Sequence, residues 1–412
     1  MRKQGQVVRF GILLFTIFAG CSMLIACDTL NLSLGLPLQP ETQWVARPFH
    51  FAEPAASYAV AGYSPSQIRT AYNLPSTGGA GTTIAIIDAY DAPTILNDLT
   101  VFCSQFGLPP PNAENFEIHK MATTLGTDDG WAQETALDVE WAHAIAPQAK
   151  ILLVQARSPL LADLLAAVDY ARGRSDVVAV SMSWGDDEYP LETAHDYRLT
   201  STYGAVFFAS SGDNGSGVMW PASSVNVVAV GGTTLTLNSD GSVSSETAWS
   251  GSGGGISVYE AKPLYQTTYG LNGTKRAVPD VSFNANTNTG VAVYSNSNWY
   301  KIGGTSAGAP QWAAIQALGR SSSNANFYQK AKSSANASYF RDITFGTNGG
   351  YHAGIGYDLV TGLGSPLTIT FRSYVATTSS VTLVQAEEST PLNSTNQFII
   401  NYILNGRKAF PY

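Results

Sequence analysis

Gly303-Gly304-Thr305-Ser306-Ala307-Gly308-Ala309-Pro310 joins a strand-like run (Val291 to Tyr294, then Trp299 to Ile302) to an apolar helical pattern of Trp312, Ala313, Ile315 and Leu318. Two adjacent glycines let the backbone turn tightly without a Cβ penalty. The turn delivers Ser306 to a helix start, where unpaired N–H groups and the positive end of the helix dipole favour a developing oxyanion. A plain Ser/Thr cap after a glycine turn has the same appearance. Acidic partners elsewhere in the chain must decide between the two.

Upstream of that turn the chain alternates. Thr82 to Asp88, Lys150 to Val154, Val177 to Ser183, Ala205 to Ser210 and Val225 to Val230 read as buried strands. Helical patterns start at Ser64, run through Ile95 to Phe102 and Gly130 to Ile145, and follow again over Pro159 to Ala171 and Leu191 to Tyr203. Continuous apolar strands alternating with amphipathic helices define an α/β fold, a mostly parallel sheet with helices on both faces. In such sheets function gathers at the carboxyl ends of strands, where Asp88, Trp184 and Asp213 fall.

Glu134 and Asp138 are four residues apart, which places them on one helical face with Cβ atoms roughly 5–6 Å apart. In a sheltered site one proton would be shared between them, leaving a carboxylate suited to general-base work at acidic pH. A solvated acidic face is the alternative, but Trp131, Leu137, Val139 and Trp141 leave little polar surface around the pair. Asp213, in Ser210-Ser211-Gly212-Asp213-Asn214-Gly215, carries a turn signal. Kept protonated, the same side chain would donate to an oxyanion.

Composition narrows the setting. The 412 residues suit one large domain with tails, and only 13% are charged, with a net charge of −8. The absence of basic clusters argues against nucleic acid as a partner. Few titratable groups suit an acidic, extracellular environment. Arg2, Lys3 and Arg9 before the apolar run Phe10 to Ala19 form an export signal. Leu24-Ile25-Ala26-Cys27 resembles a lipoprotein cleavage site, so membrane attachment through a lipidated Cys27 is expected; an uncleaved anchor is the alternative. Residues 28–61 read as a Leu/Pro/Ala-rich linker, 62–366 as the catalytic domain and 367–412 as a Ser/Thr-rich tail with strand-like runs at Ser380 to Val384 and Gln397 to Ile403. Cys103 is expected as a free, buried thiol, and the protein as a monomer.

Ser306 in G-T-S-A-G-A-P, Glu134-x-x-x-Asp138 and Asp213 in S-S-G-D-N-G together resemble the sedolisins, the serine-carboxyl peptidases. Gly253-Gly254-Gly255-Ile256-Ser257 and Val278-Pro279-Asp280-Val281-Ser282 are similar to further blocks of that family, in the same order. The resemblance implies a subtilisin-like fold acting on protein or peptide substrates. It implies Ser306 as nucleophile, Glu134 as base, Asp138 as its tuning partner and Asp213 as oxyanion donor. Asp88 and Trp184 resemble an outer hydrogen-bonded network in which a longer Glu stands in place of Asp88. The resemblance also implies one Ca²⁺, bound by the side chains of Asp342 and Asp358 and the carbonyls of Ile343, Gly354 and Gly356. Hard oxygen ligands of that kind suit the ion. Two departures stand out: residues 28–61 are too few for the folding prodomain usual in the family, and the tail is extra. Rival readings are an Asp/His/Ser peptidase using His143 with Asp88, and a catalytically inactive, surface-anchored binding protein on the same scaffold.

Overall fold

A computed structural model describes residues 44–56, 59–319, 323–333 and 339–367. The export signal, Cys27 and the strand-like runs of the tail lie outside the described residues. The chain begins with two short strands, β1 (Arg47–Pro48) and β2 (Phe51–Pro54), then helix α1 (Pro65–Ala71). Ser64 caps α1 through the Gln67 amide, and Gln67 reaches back to the Ser64 N–H. There follow β3 (Thr83–Ala89), α2 (Ile95–Phe106), β4 (Phe116–Lys120), α3 (Asp129–Ile145), β5 (Lys150–Ala156), α4 (Leu161–Arg172), β6 (Val177–Met182) and β7 (Trp184–Asp187). Next come β8 (Val206–Ser210), β9 (Met219–Trp220), β10 (Val227–Leu237), β11 (Val243–Ala248), β12 (Gly255–Ala261), α5 (Leu264–Tyr269), β13 (Lys275–Val278) and β14 (Val281–Asn284). The hairpin β15 (Val291–Ser295) and β16 (Asn298–Gly303) leads into α6 (Gly308–Ala317), and α7 (Asn324–Lys332) follows.

Among the described residues, β11-β10-β8-β6-β3-β5-β4 form the main sheet, with β14 alongside β10 as an eighth strand. Every pairing is parallel except β10 with β11. The two-residue period of the strands divides the core cleanly. Ile84, Ile86, Ile151, Leu153, Phe208 and Val228 face Leu137 and Trp141 of α3 and Trp312 and Ile315 of α6. Their neighbours Ala85, Ile87, Leu152, Val154, Phe207 and Val227 face Leu161, Leu164, Leu165 and Val168 of α4. The expected α/β architecture is therefore present, with both sheet faces covered.

Three local readings change. The expected helix over Leu191 to Tyr203 is a 3₁₀ helix, Glu192–Leu199, whose buried Glu192 and His195 recur at its three-residue turn. The strand expected to end at Val230 runs on to Leu237, because β11 folds back against its second half. The stretch read as linker carries β1 and β2, which pair antiparallel with β7 and β16. Its apolar residues, spaced for a strand, found a partner on the body of the protein. Cys103 is free and buried on α2.

One buried ion pair ties the Val278-Pro279-Asp280 block to the sheet. Arg276 and Asp280 are both fully buried and joined twice, at 2.6 and 3.0 Å. Asp280 also accepts from the Ala229 N–H and the Tyr328 hydroxyl. Asp280→Ala would leave the guanidinium buried without its counter-charge, an error costing about 3–5 kcal/mol. Urea unfolding of the variant is expected to show a midpoint lowered accordingly; an unchanged midpoint would contradict this account of the pair.

Candidate active site

Helix α3 starts on a capped Asp128 and carries Glu134 and Asp138 on its sheet-facing side, both fully buried. Opposite them the β16–α6 connection turns at Gly304, whose φ of 125° and lack of a side chain permit the close approach of other groups. Ser306 sits in a short 3₁₀ turn, Thr305–Ala307, before α6 and not on the helix itself. Asp213 follows β8, and its Oδ1 accepts from both the Thr305 N–H and the Thr305 hydroxyl at 2.8 Å. Asp138 accepts from the Ser183 hydroxyl at 2.8 Å. The turn, the helix and two strand ends thus bring Ser306, Glu134, Asp138 and Asp213 to one place.

Burial dominates the electrostatics. It holds Glu134 well above the usual carboxyl range, and repulsion from Asp88 adds to the effect. Asp138 is raised for the same reason, with Asp88 and Glu134 as its charged neighbours. Burial also lifts Asp213 and Asp88 to about 7. At mildly acidic pH Asp213 therefore keeps a proton, and its Oδ2, which has no partner among the described residues, is the oxygen left to donate.

The cleft is occupied by the chain's own N-terminal segment. The Phe49 carbonyl oxygen accepts from the Ser306 N–H at 3.1 Å. The Phe49 N–H faces the Ser183 carbonyl at 3.4 Å and the Ser306 hydroxyl oxygen at 3.1 Å. Arg47 pairs with Gly185, and the Phe49 ring packs where Gly185 has no side chain. His50 Nδ1 lies 2.6 Å from Glu134 Oε2. Burial lowers the imidazole pKa as it raises the carboxyl's, so the proton sits on Glu134 and its O–H donates to the ring. A Cβ on Gly304 would strike both the Phe49 carbonyl oxygen and Asp213 Oδ2, so these two oxygens share one small space.

The Peptidase_S8 pattern of the subtilase family matches residues 120–346. The chain is 31% identical over 381 residues to kumamolisin of Bacillus sp. strain MN-32, covering 80% of this chain and 68% of that protein. The chain belongs to the sedolisin family. It is also 31% identical to sedolisin of Pseudomonas sp. strain 101, over 76% of this chain and 61% of that protein. The solved structure of Pseudomonas sedolisin complexed with two molecules of pseudo-iodotyrostatin superposes with a TM-score of 0.67 at 32% identity, over 75% of this chain and 96% of that one. The chain therefore spans about three fifths of the full-length sedolisin sequence and two thirds of kumamolisin's.

In this sedolisin-family chain the outer network differs from the expectation. Trp184 gives its indole N–H to the Ile87 carbonyl at 2.7 Å and not to Asp88. Neither Asp88 oxygen has a hydrogen-bond partner among the described residues. His143, the histidine of the rival reading, is buried with Nε2 donating to the Pro109 carbonyl. The histidine that does reach Glu134 is His50. Sequence reasoning missed it, along with Phe49, Ser183 and Thr305. The available signal was Pro48, which restricts Arg47 to extended backbone beside an apolar-polar alternation.

The expected cation loop is compact. Asp342 accepts from the Gly356 N–H (3.0 Å), while Asp358 accepts from the N–H groups of Gly354, Val360 and Thr361 and from the Thr361 hydroxyl. Both carboxylates thus converge on the Gly354–Gly356 turn. The Ile343 side chain is buried against Val360. No cluster of three or more His, Cys, Asp or Glu suited to a metal occurs among the described residues. Two carboxylates with backbone carbonyls form a donor set that fits a hard cation such as Ca²⁺ and not a soft one.

The raised carboxyl groups set a direction for stability. Below the ordinary Asp value of 3.8, folded and unfolded chains both hold the proton, and the full contribution of Asp88 and Asp213 is present. As pH rises toward about 7 the unfolded chain releases its protons first, and that stability is lost. His50, with its lowered value, works in the opposite sense as pH falls below 6.5. In a Ser306→Ala background the thermal midpoint is expected to fall between pH 4 and 7. Asp88→Asn should flatten that fall; a slope identical to the parent's would rule out Asp88 as a source.

Proposed function

We propose that the chain is an exported, acid-active serine-carboxyl endopeptidase whose first substrate is its own Phe49–His50 bond. The observation that carries this reading is the Phe49 carbonyl oxygen on the Ser306 N–H, beside the bare oxygen of Asp213. Antiparallel pairing of the preceding residues with β7 supports it, since an extended strand is the form in which a peptide presents its carbonyl. Glu134 first gives up its own proton to a neighbour, Asp138 or His50; the Ser306 hydroxyl oxygen then attacks the Phe49 carbonyl carbon while the Glu134 carboxylate, tuned by Asp138, accepts the hydroxyl proton. Ser306 N–H and neutral Asp213 stabilise the oxyanion. The bond to the His50 nitrogen then breaks, Glu134 returns the proton to that nitrogen, and water releases the Phe49 carboxyl from Ser306.

Other parts of the proposal concern setting. The basic and apolar N-terminus directs export, and Cys27 is lipidated, holding the monomeric, uncleaved chain at the cell surface until cleavage at Phe49–His50 parts the catalytic residues from the lipid. Proteins or peptides are the substrates, and nucleic acid is not a partner. Asp342 and Asp358, with the Ile343, Gly354 and Gly356 carbonyls, hold one Ca²⁺, which braces the loop beside the cleft and takes no part in bond cleavage.

Incubation of the full chain at pH 4 is expected to create a new N-terminus reading His50-Phe51-Ala52-Glu53, and Ser306→Ala to create none. Sequencing of the product checks both; cleavage at this bond by the alanine variant would refute Ser306 as nucleophile. Asp213 donates only while protonated, so turnover should decline as pH rises through about 7. Asp213→Ala should lose on the order of 10²–10³ in turnover, whereas Asp213→Asn keeps a donor and should lose the decline near neutrality. Chelation should lower the thermal midpoint of the Ser306→Ala chain, and Asp358→Asn should abolish that response.

A further inference from the structure

Residues 44–47 lie in the cleft as an extended strand. The Ala46 N–H donates to the Pro159 carbonyl, the Leu161 N–H to the Trp44 carbonyl, and Val45 bridges Leu160. Side chains alternate along it: Trp44 and Ala46 are buried, Val45 and Arg47 exposed. The Trp44 ring enters an aromatic pocket. Its centroid lies 5.5 Å from that of Trp220 at 85°, 6.5 Å from that of Trp184 at 73°, and 6.2 Å from that of Tyr189 at 52°. At the rim the Trp44 indole N–H donates to the Asp187 carbonyl at 3.2 Å.

The walls are set by contacts that do not involve Trp44. Trp184 is anchored on the Ile87 carbonyl, and Trp220 by the pairing of β9 with β7. The Tyr189 N–H is held by the Glu192 carboxylate. The pocket therefore persists when the segment departs, and would then present two indoles and a phenol to solvent. Exposed aromatic surface of that kind marks a binding site.

We propose that Trp184, Tyr189, Trp220 and the Asp187 carbonyl form a distal specificity subsite. It takes a tryptophan side chain on an extended polypeptide, six residues back from the scissile bond counting Phe49 as the first. This rests on the reading of residues 44–54 as a bound substrate. Edge-to-face contacts attract any aromatic ring, and the rim carbonyl selects an indole over a phenyl because only the indole has an N–H to give it. The distance between pocket and nucleophile is fixed by β7, so the preference depends on register. Trp44 is the built-in occupant and holds the segment in the cleft before cleavage.

Two measurements test this. The full chain, after incubation at pH 4, is assayed on the free peptide Trp-Val-Ala-Arg-Pro-Phe-His-Phe-Ala-Glu, on versions with Phe or Leu for Trp, and on one with Trp moved a single position toward the N-terminus. The Leu and shifted peptides are expected to lose about tenfold in kcat/KM, carried by KM with kcat unchanged, and the Phe peptide to fall between. Equal kcat/KM for all four, or a gain indifferent to register, overturns the subsite. In the second measurement hydrogen exchange is followed in full-length Ser306→Ala with and without Trp44→Leu. The Ala46 and Phe49 amides are expected to exchange at least about tenfold faster without the indole. Identical rates overturn the proposal. If no peptide is cut at all, the peptidase reading fails, while the exchange result, which needs no chemistry, still decides the pocket.

Discussion

The burial of four carboxyl groups governs this cleft. Asp88, Glu134, Asp138 and Asp213 are buried at the carboxyl edge of one sheet, close enough that Asp88 and Glu134 each raise their neighbours. Ionising all of them would concentrate negative charge in a medium that solvates it poorly. Protons are therefore retained, and they belong to the coupled set more than to single residues. A neutral Asp213 and a protonated Glu134 both follow from that single constraint. Ordinary subtilase chemistry with an imidazole base needs no such arrangement; a carboxyl base does, because an exposed carboxylate is too weak a base to take a hydroxyl proton.

The same burial makes unpaired polar groups costly, and the N-terminal segment answers that cost in the structure as it stands. Phe49 occupies the Ser306 N–H and faces the Ser183 carbonyl, and His50 covers Glu134. Gly185 and Gly304 are the positions where this backbone can come close, since a Cβ on Gly185 would meet the Phe49 ring and one on Gly304 the Phe49 carbonyl. Glycine here provides room for another chain as well as a turn for its own.

Much of the fold and the centre of the site could be read from the chain. The strands β3, β5, β6 and β8 are continuous apolar runs, and their burial on two faces leaves no polar alternation to confuse the pattern. The position of Glu134 and Asp138 on one helix face was equally legible, because helix spacing is local. What escaped the sequence depended on contacts across the chain. Residues 44–54 have no period of their own long enough to announce a strand; they become strands because β7 and β16 offer free edges. Trp184 sat in a recognisable S-M-S-W-G block, yet its indole N–H chose the Ile87 carbonyl. Spacing in sequence does not measure reach.

The resting hydrogen bonds also dictate the order of proton movements. Ser306 Oγ lies 3.0 Å from the Ser183 carbonyl oxygen and accepts from the Phe49 N–H. Glu134 in turn carries a proton and gives it to His50. A protonated carboxyl still accepts a hydrogen bond through its carbonyl oxygen but is too weak a base to take the serine proton, so in the proposed step its own proton must leave first. Asp138 is one neighbour able to share it, and His50 Nδ1 is another, already in contact. Under the proposed mechanism, acidic pH keeps the proton on Asp213 but also fills Glu134. The working range of the proposed site is then bounded on both sides by carboxyl groups, with the alkaline edge set where Asp213 loses its proton and the acid edge where Glu134 can no longer pass its own to a neighbour.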